Sequence, residues 1–305
     1  MTLDLTRGTP WKGALRFALP LLLGNLLQQL YNTADTIIVG NYVSDRALSA
    51  VGSCTSLTML FTALALGFSI GAGVLVAQYF GAQKLDEVRR IASTSIVLFL
   101  ALGAGMSVLG VVLTRPLLAG LLQTPEALLE MAVTYFMIYA AGLIFQFGYN
   151  IAAAILRAIG DSKATLYFLF ASSLLNVVLD LLLVAVVKMG VAGAAVATVF
   201  SQLLSCVLSF WYMHKKYEFL RFSPRELRFE PKLARRVLTI GAPMAVQQSV
   251  VSCGFMFMQR LVNSCGEDMV ASFTVGSRIE NYLILPTLSF QSTMATYTGQ
   301  NIGAN

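Results

Sequence analysis

QQLYNTADTIIVG, residues 28–40, closes a long apolar run yet carries a carboxylate, Asp35, with Asn32 about one helical turn before it. A charge in a hydrophobic run is costly. Either the run does not cross a membrane, or Asp35 has a task inside one. The surrounding composition favours the membrane. Of 305 residues, 57% are apolar and 12% are charged, about half the charged share of an ordinary soluble domain. Apolar stretches of roughly twenty residues are long enough to cross a bilayer as helices. Eight such stretches are expected, at 14–40, 53–78, 91–113, 130–156, 164–187, 190–213, 237–262 and 269–297. The first is too long for a signal peptide and has no small-residue cleavage site after it.

Basic residues orient the spans. With the N-terminus in the cytoplasm, the inner segments hold 16 of the 21 Lys and Arg residues. They cluster around Arg7 and Lys12, around Arg89 and Arg90, and in 214–236. This placement accounts for the net charge of +6 without a nucleic-acid partner, and it predicts a multi-pass protein of the cell inner membrane. The segment 214–236, HKKYEFLRFSPRELRFEPKLARR, reads as a solvated linker that meets anionic lipid headgroups. The four cysteines form no CxxC pair and have no metal spacing. His214, the only histidine, sits beside Lys215 and Lys216 and reads as a surface residue. No nucleophile–base set appears, so an enzyme is not expected. No motif sets an oligomeric state.

An internal repeat divides the chain. ALPLLL at 18–23 matches GAPMAV at 241–246, which pairs Pro20 with Pro243, 223 positions on. AVGS at 50–53 matches TVGS at 274–277, and QYFGAQ at 78–83 matches QNIGAN at 300–305. The expected organisation is therefore a six-helix bundle at 1–213, a linker at 214–236, and the first two helices of a second bundle at 237–305. Parallel repeats are a transporter habit, with the substrate path between the halves. A complete second copy would run on for about 140 residues, which predicts a twelve-span parent protein.

Polar residues inside the spans form two stripes. Asn25, Gln28, Asn32 and Asp35 are spaced 3, 4 and 3 apart and share one helix face. Asn176 and Asp180 share a face of the fifth span. Counted from the outer ends of their spans, Asp35 and Asp180 lie at depths that agree within a turn. Two acids at one level are expected to meet at a shared site, which would bind H⁺ or hold Na⁺ with nearby amides and hydroxyls. Two separate packing acids are the plainer alternative. Pro20 in the first span is expected to kink it, as a static bend or a hinge. Gly67, Gly71 and Gly73 read as close-packing positions. Arg157 and Asp161, four apart, suggest a helix-end clamp broken by Gly160. Arg278 and Glu280, two apart, do not face each other on a helix.

Four motifs carry a family resemblance: LYNTADTIIVG at 30–40, ILRAIGDSKAT at 155–165, NVVLDLLLV at 176–184 followed by GVAGAAVATVFSQ at 190–202, and TVGSRIENYLILP at 274–286. In that order they resemble the multidrug and toxic compound extrusion (MATE) family over nearly the whole chain. The resemblance implies an all-α membrane fold of two six-helix bundles meeting in a V. It implies export of amphipathic, often cationic compounds, driven by inward H⁺ or Na⁺ and needing no cofactor. It implies Asp35 and Asp180 as coupling acids, Asn176 and Thr198 as their polar neighbours, and a bend at Pro20. Gln28, Asn32, Arg278 and Glu280 are expected along the substrate path. A lipid-linked oligosaccharide flippase is the nearest rival, but only Arg260 and Arg278 supply basic charge deep in the spans, which favours drug export. A piece that does not transport by itself is a further alternative.

Overall fold

The computed structural model describes residues 4–6, 8–222, 227–264 and 267–304; within the helices, the side chains at 36, 45, 256, 259, 260, 263, 264, 267–272, 274, 275, 278, 279 and 281 lie outside that description. The described residues form helices joined by short turns, with no strand among them. They are α1 (Pro10–Tyr42), α2 (Asp45–Gly81), α3 (Leu85–Pro116), α4 (Glu126–Ala141), α5 (Leu143–Ala158), α6 (Ser162–Asp180), α7 (Val191–Lys216), α8 (Pro231–Ser264) and α9 (Glu267–Ala304). Two of them run on into wider π turns: α3 through Leu117–Leu121 and α6 through Leu181–Val186.

Local chemistry sets several boundaries. Pro10 opens α1, where its missing N–H costs nothing. Ser44 caps α2 by accepting a hydrogen bond from the Ala47 N–H at 3.1 Å. Gly160, at φ +88°, ends the α5 turn in the left-handed region that side chains avoid. Asp161 then caps α6 through the Ala164 N–H.

The eight expected spans map onto these helices, with one correction. The run 130–156 is not one helix: it breaks at Gly142 into α4 and α5, bent by 45°. Gly142, at the break, sits close against α7. A Cβ on Gly142 would come within 2.6 Å of the Val199 side chain on α7. Among the described residues, four helices are long and apolar enough to cross a membrane, and a fifth if the bent pair counts as one. The helices α1, α8 and α9, at 33, 34 and 38 residues, have the length but more polar content. Pro20, expected to kink α1, is accommodated within a continuous helix. Gly24, one turn on, lets Leu169 of α6 approach to 3.1 Å of where a Cβ would sit.

The repeat appears as matched geometry. The starts of α1 and α8 are 221 positions apart, and those of α2 and α9 are 222 apart. Helix α2 packs on α8, and α1 on α9. A Cβ on Gly67 would lie 2.2 Å from the Ala245 backbone, and one on Gly71 2.5 Å from that of Gly241. The expected close packing holds there, whereas Gly73 makes only ordinary contact with Ala154. At the C-terminal end of α2 the contact is reciprocal. Gly81 backs onto Gln300, and Gly303 backs onto Gln78. These four residues are repeat mates in two pairs, so each half offers the other the same surface, as subunits do across a two-fold axis.

Candidate functional site

The sequence set two acids at one depth, and the fold brings them together. Helix α1 packs along α6, and the carboxyls of Asp35 and Asp180 come within direct interaction range of each other. Asp180 is 0% exposed. Neither of its oxygens, nor Oδ1 of Asp35, finds a hydrogen-bond partner among the described residues. Asn176 is buried on the same face one turn away, and both of its amide atoms are likewise unpartnered. The Ser173 hydroxyl, three residues before Asn176 on α6, is unpartnered as well. Buried polar atoms are nearly always paired in folded proteins. A concentration of unpaired oxygens on one helix face is therefore a place for a proton, a cation or water. Among the described residues no group of three His, Cys, Asp or Glu side chains forms a metal cluster. A monovalent ion at this site would draw on amide and hydroxyl oxygens as well.

Asp180 stands at a particular backbone position. It is the last α-helical residue before the π turn Leu181–Val186, and such turns recur at functional sites. The apolar run that contains it gave no sign of this.

The other expected residues are spread over α1, α7 and α9. Thr198 on α7 is half-buried and donates its hydroxyl hydrogen bond to the Ala194 carbonyl at 3.0 Å. Asn25 reaches across to α9, donating to the Ser289 hydroxyl at 3.0 Å. Gln28 and Asn32 are exposed on α1, and Gln28 interacts with the Tyr31 hydroxyl. The α1 stripe thus faces α9 at Asn25 and α6 at Asp35. Pro20 is buried, about four turns from Asp35. Glu280 is exposed on α9, and the side chain of Arg278 lies outside the described residues.

Three tyrosines and a glutamine escaped the sequence reading. Tyr31 and Tyr135 lie in electrostatic range of Asp35. Tyr139 donates to Gln146 Oε1 at 3.1 Å, across the bend at Gly142. Gln146 in turn donates to the Thr62 hydroxyl at 2.8 Å. The available signal was spacing. Tyr135 and Tyr139, then Gln146 and Asn150, are each four apart within one apolar run.

A second buried aspartate behaves differently. The expected clamp between Arg157 and Asp161 does not form. Asp161 instead accepts hydrogen bonds from Lys216 Nζ at 2.8 Å, the Tyr212 hydroxyl at 2.9 Å and the Tyr217 hydroxyl at 2.6 Å. Lys216 and Tyr212 also bond to each other. Burial pushes this carboxyl up, but the bonds from Lys216, Tyr217 and Tyr212 outweigh it and hold it below its ordinary value of 3.8. Helix periodicity pointed to Arg157. The last turn of α7 supplies a better-placed cation.

The family model described as MatE matches residues 20–182 and 243–305. The chain belongs to the MATE family. The two matched segments begin at the repeat mates Pro20 and Pro243. Among its relatives is a "Probable multidrug resistance protein YpnP" of Bacillus subtilis (strain 168), 32% identical over 98% of this chain and 67% of the relative. Another is a "Probable multidrug resistance protein NorM" of Thermotoga maritima, 27% identical over 96% of this chain and 63% of the relative. A solved structure described as the outward-facing conformation of a multidrug resistance MATE family transporter superposes with a TM-score of 0.91 at 27% identity, covering 99% of this chain and 67% of that one. This MATE chain spans about two thirds of the length of these relatives. Its family is one of transporters rather than enzymes, and its relatives connect it to multidrug efflux.

Proposed function

We propose that this chain supplies the ion-coupling half of an efflux transporter for amphipathic, often cationic compounds. The Asp35–Asp180 pair exchanges H⁺ or Na⁺ during alternating access. In the outward-facing state, a proton or Na⁺ entering from outside neutralises the pair, with Asn176 and Thr198 as polar neighbours, and bound compound is released. Loss of the ion toward the cytoplasm resets the site. Differential affinity of ion and compound for the two states supplies the coupling. Gln28, Asn32, Arg278 and Glu280 line the compound's path between the halves 1–213 and 237–305, and Pro20 gives α1 the compliance to respond to the charge at Asp35. The excess of basic residues on one side supports a cytoplasmic N-terminus in the inner membrane.

One observation carries this reading: two carboxyls meet inside an apolar helix bundle, and three of their four oxygens are buried with no hydrogen-bond partner among the described residues. Two buried like charges at this range cannot both persist, so the site requires a cation. The test replaces the acids singly, Asp35→Asn and Asp180→Asn, in this chain and at the matching positions of a full-length relative. Ion-driven efflux of a fluorescent lipophilic cation is then measured in energised vesicles. Efflux should fall to background in both variants of the relative. Wild-type efflux in both would overturn the assignment.

A further inference from the structure

The segment ahead of α1 is held by the other half of the molecule. The Leu5 N–H donates to Gln300 Oε1 at 3.1 Å, and Asn301 Nδ2 donates to the Leu5 carbonyl at 3.2 Å. Two adjacent side chains of α9 thus take both backbone groups of a single residue. The Leu5 side chain, 3% exposed, packs against Phe17, Leu21 and Tyr297, in the crevice between α1 and α9. Gln300 is itself 0% exposed, and its other amide atom donates to the Ala158 carbonyl at the end of α5, at 2.8 Å.

The segment ahead of α8 is clasped in the same manner, at the repeat mate of Leu5. Arg228 lies 223 positions after Leu5, the spacing that separates Pro20 from Pro243. Its N–H donates to the Ser93 hydroxyl at 2.7 Å, which donates back to its carbonyl at 3.1 Å. Each half therefore sends its leading segment across to the other half, here from the second half onto α3. Both clasps lie at the end of the bundle where Gly81 and Gly303 close the reciprocal contact. Leu5 and Arg228 lie outside the residues that the family model matches, while the side chains that hold them, Gln300, Asn301 and Ser93, lie inside.

We infer that residues 4–6 are a strap that holds this end of the two halves shut, and that its release from Gln300 and Asn301 is a step in opening the molecule toward the side the basic residues mark as cytoplasmic. The halves cannot part between α1 and α9 while Leu5 fills the crevice and bonds to α9. The strap is built to let go. Leu5 is held to α9 by two single hydrogen bonds to neutral amides and the packing of one aliphatic side chain. The clasp at Arg228 is of another kind, because the covalent linker tethers its residue beside α3 whether or not the halves separate. The cytoplasmic direction rests on the transport reading above; the strap itself does not.

The test has two arms. Ser289, Thr293, Thr296 and Gln300 share the buried face of α9, so Thr296→Cys reports on parting of the halves. In a chain with Cys253→Ser and Cys265→Ser, its reaction with a water-soluble maleimide is followed with and without Leu5→Asp. The strap predicts a rise in labelling rate of about tenfold or more, and wild-type labelling with Leu5→Met, since opening populations follow the free energy of closure. Equal rates for Leu5→Asp and wild type would overturn the strap. The second arm, free of any folding defect from Leu5→Asp, keeps Thr296 and joins Leu5→Cys to Asn301→Cys by oxidation. The joined strap should slow maleimide labelling of a Thr293→Cys reporter, on the same buried face, by about fivefold, and reductant should restore it; unchanged labelling would overturn the proposal. Neither arm requires export. A chain that labels as expected but moves no lipophilic cation would therefore count against the transport reading and leave the strap standing.

Discussion

Asp161 and Asp180 sit nineteen residues apart on either end of α6, are 4% and 0% exposed, and have opposite surroundings. Asp161 is saturated. A lysine, two tyrosines and a backbone N–H all donate to it. Asp180 has another carboxyl for a neighbour, and its own oxygens are unpartnered. A buried acid in a saturated shell is committed to one protonation state and works as a fastener. A buried acid held short of donors retains the capacity to take up a cation, and the fold bears a cost for keeping it that way. Burial alone would have ranked the two alike.

The largest expected effect separates the two by what they break. Asp180→Asn should remove ion-driven efflux from a full-length relative carrying it, by about a hundredfold or more, as for groups essential to a coupled step. Its thermal unfolding in detergent should begin no lower than that of wild type, because a neutral amide is cheaper to keep dry. Next comes Asp161→Ala, where unfolding should shift instead. Removing one partner of a buried pair costs about 3–5 kcal/mol. With Lys216 35% exposed, we expect a discounted cost of about 2–3 kcal/mol, seen as an earlier midpoint in a denaturant series.

A smaller effect follows pH. The folded-state value of Asp161 lies below its ordinary one, so the stability it contributes is fully present at neutral pH. It is lost as pH falls below 3.8 and through the folded value. The stability gap between wild type and Asp161→Asn should therefore narrow in acid, and a gap that widened would contradict the ion pair. The smallest change is Tyr212→Phe, which leaves Asp161 with Lys216, Tyr217 and the Ala164 N–H. It should cost about 1 kcal/mol or less and leave any efflux by a full-length relative unaltered. A loss as large as that of Asp161→Ala would mean that the four-group knot acts as one unit.

Periodicity and depth were enough to place Asp35 beside Asp180, since a helix in a bilayer converts residue count into height. The repeat left a legible trace too, because Gly81 and Gly303 stand at backbone contacts with no room for a side chain. What escaped were choices made between distant segments. Asp161 took its cation from 55 residues downstream rather than from Arg157 one turn back, since α7 ends beside it. The apolar run 130–156 hid a bend at Gly142, where Val199 of the distant α7 comes close. The strap at Leu5 joins residues 295 apart, and no local pattern announces it.

The π turn after Asp180 has a consequence for how this helix can change over generations. It accommodates one residue more than an α turn would, so it resets the angular phase of the residues beyond it by about 100°. Val184 ends up facing protein while Leu181 and Leu182 face outward. Deleting a single codon there would re-aim the C-terminal tip of the helix and leave the acid where it is. The tip beyond the turn can thereby be re-aimed while the level of the carboxylate stays fixed.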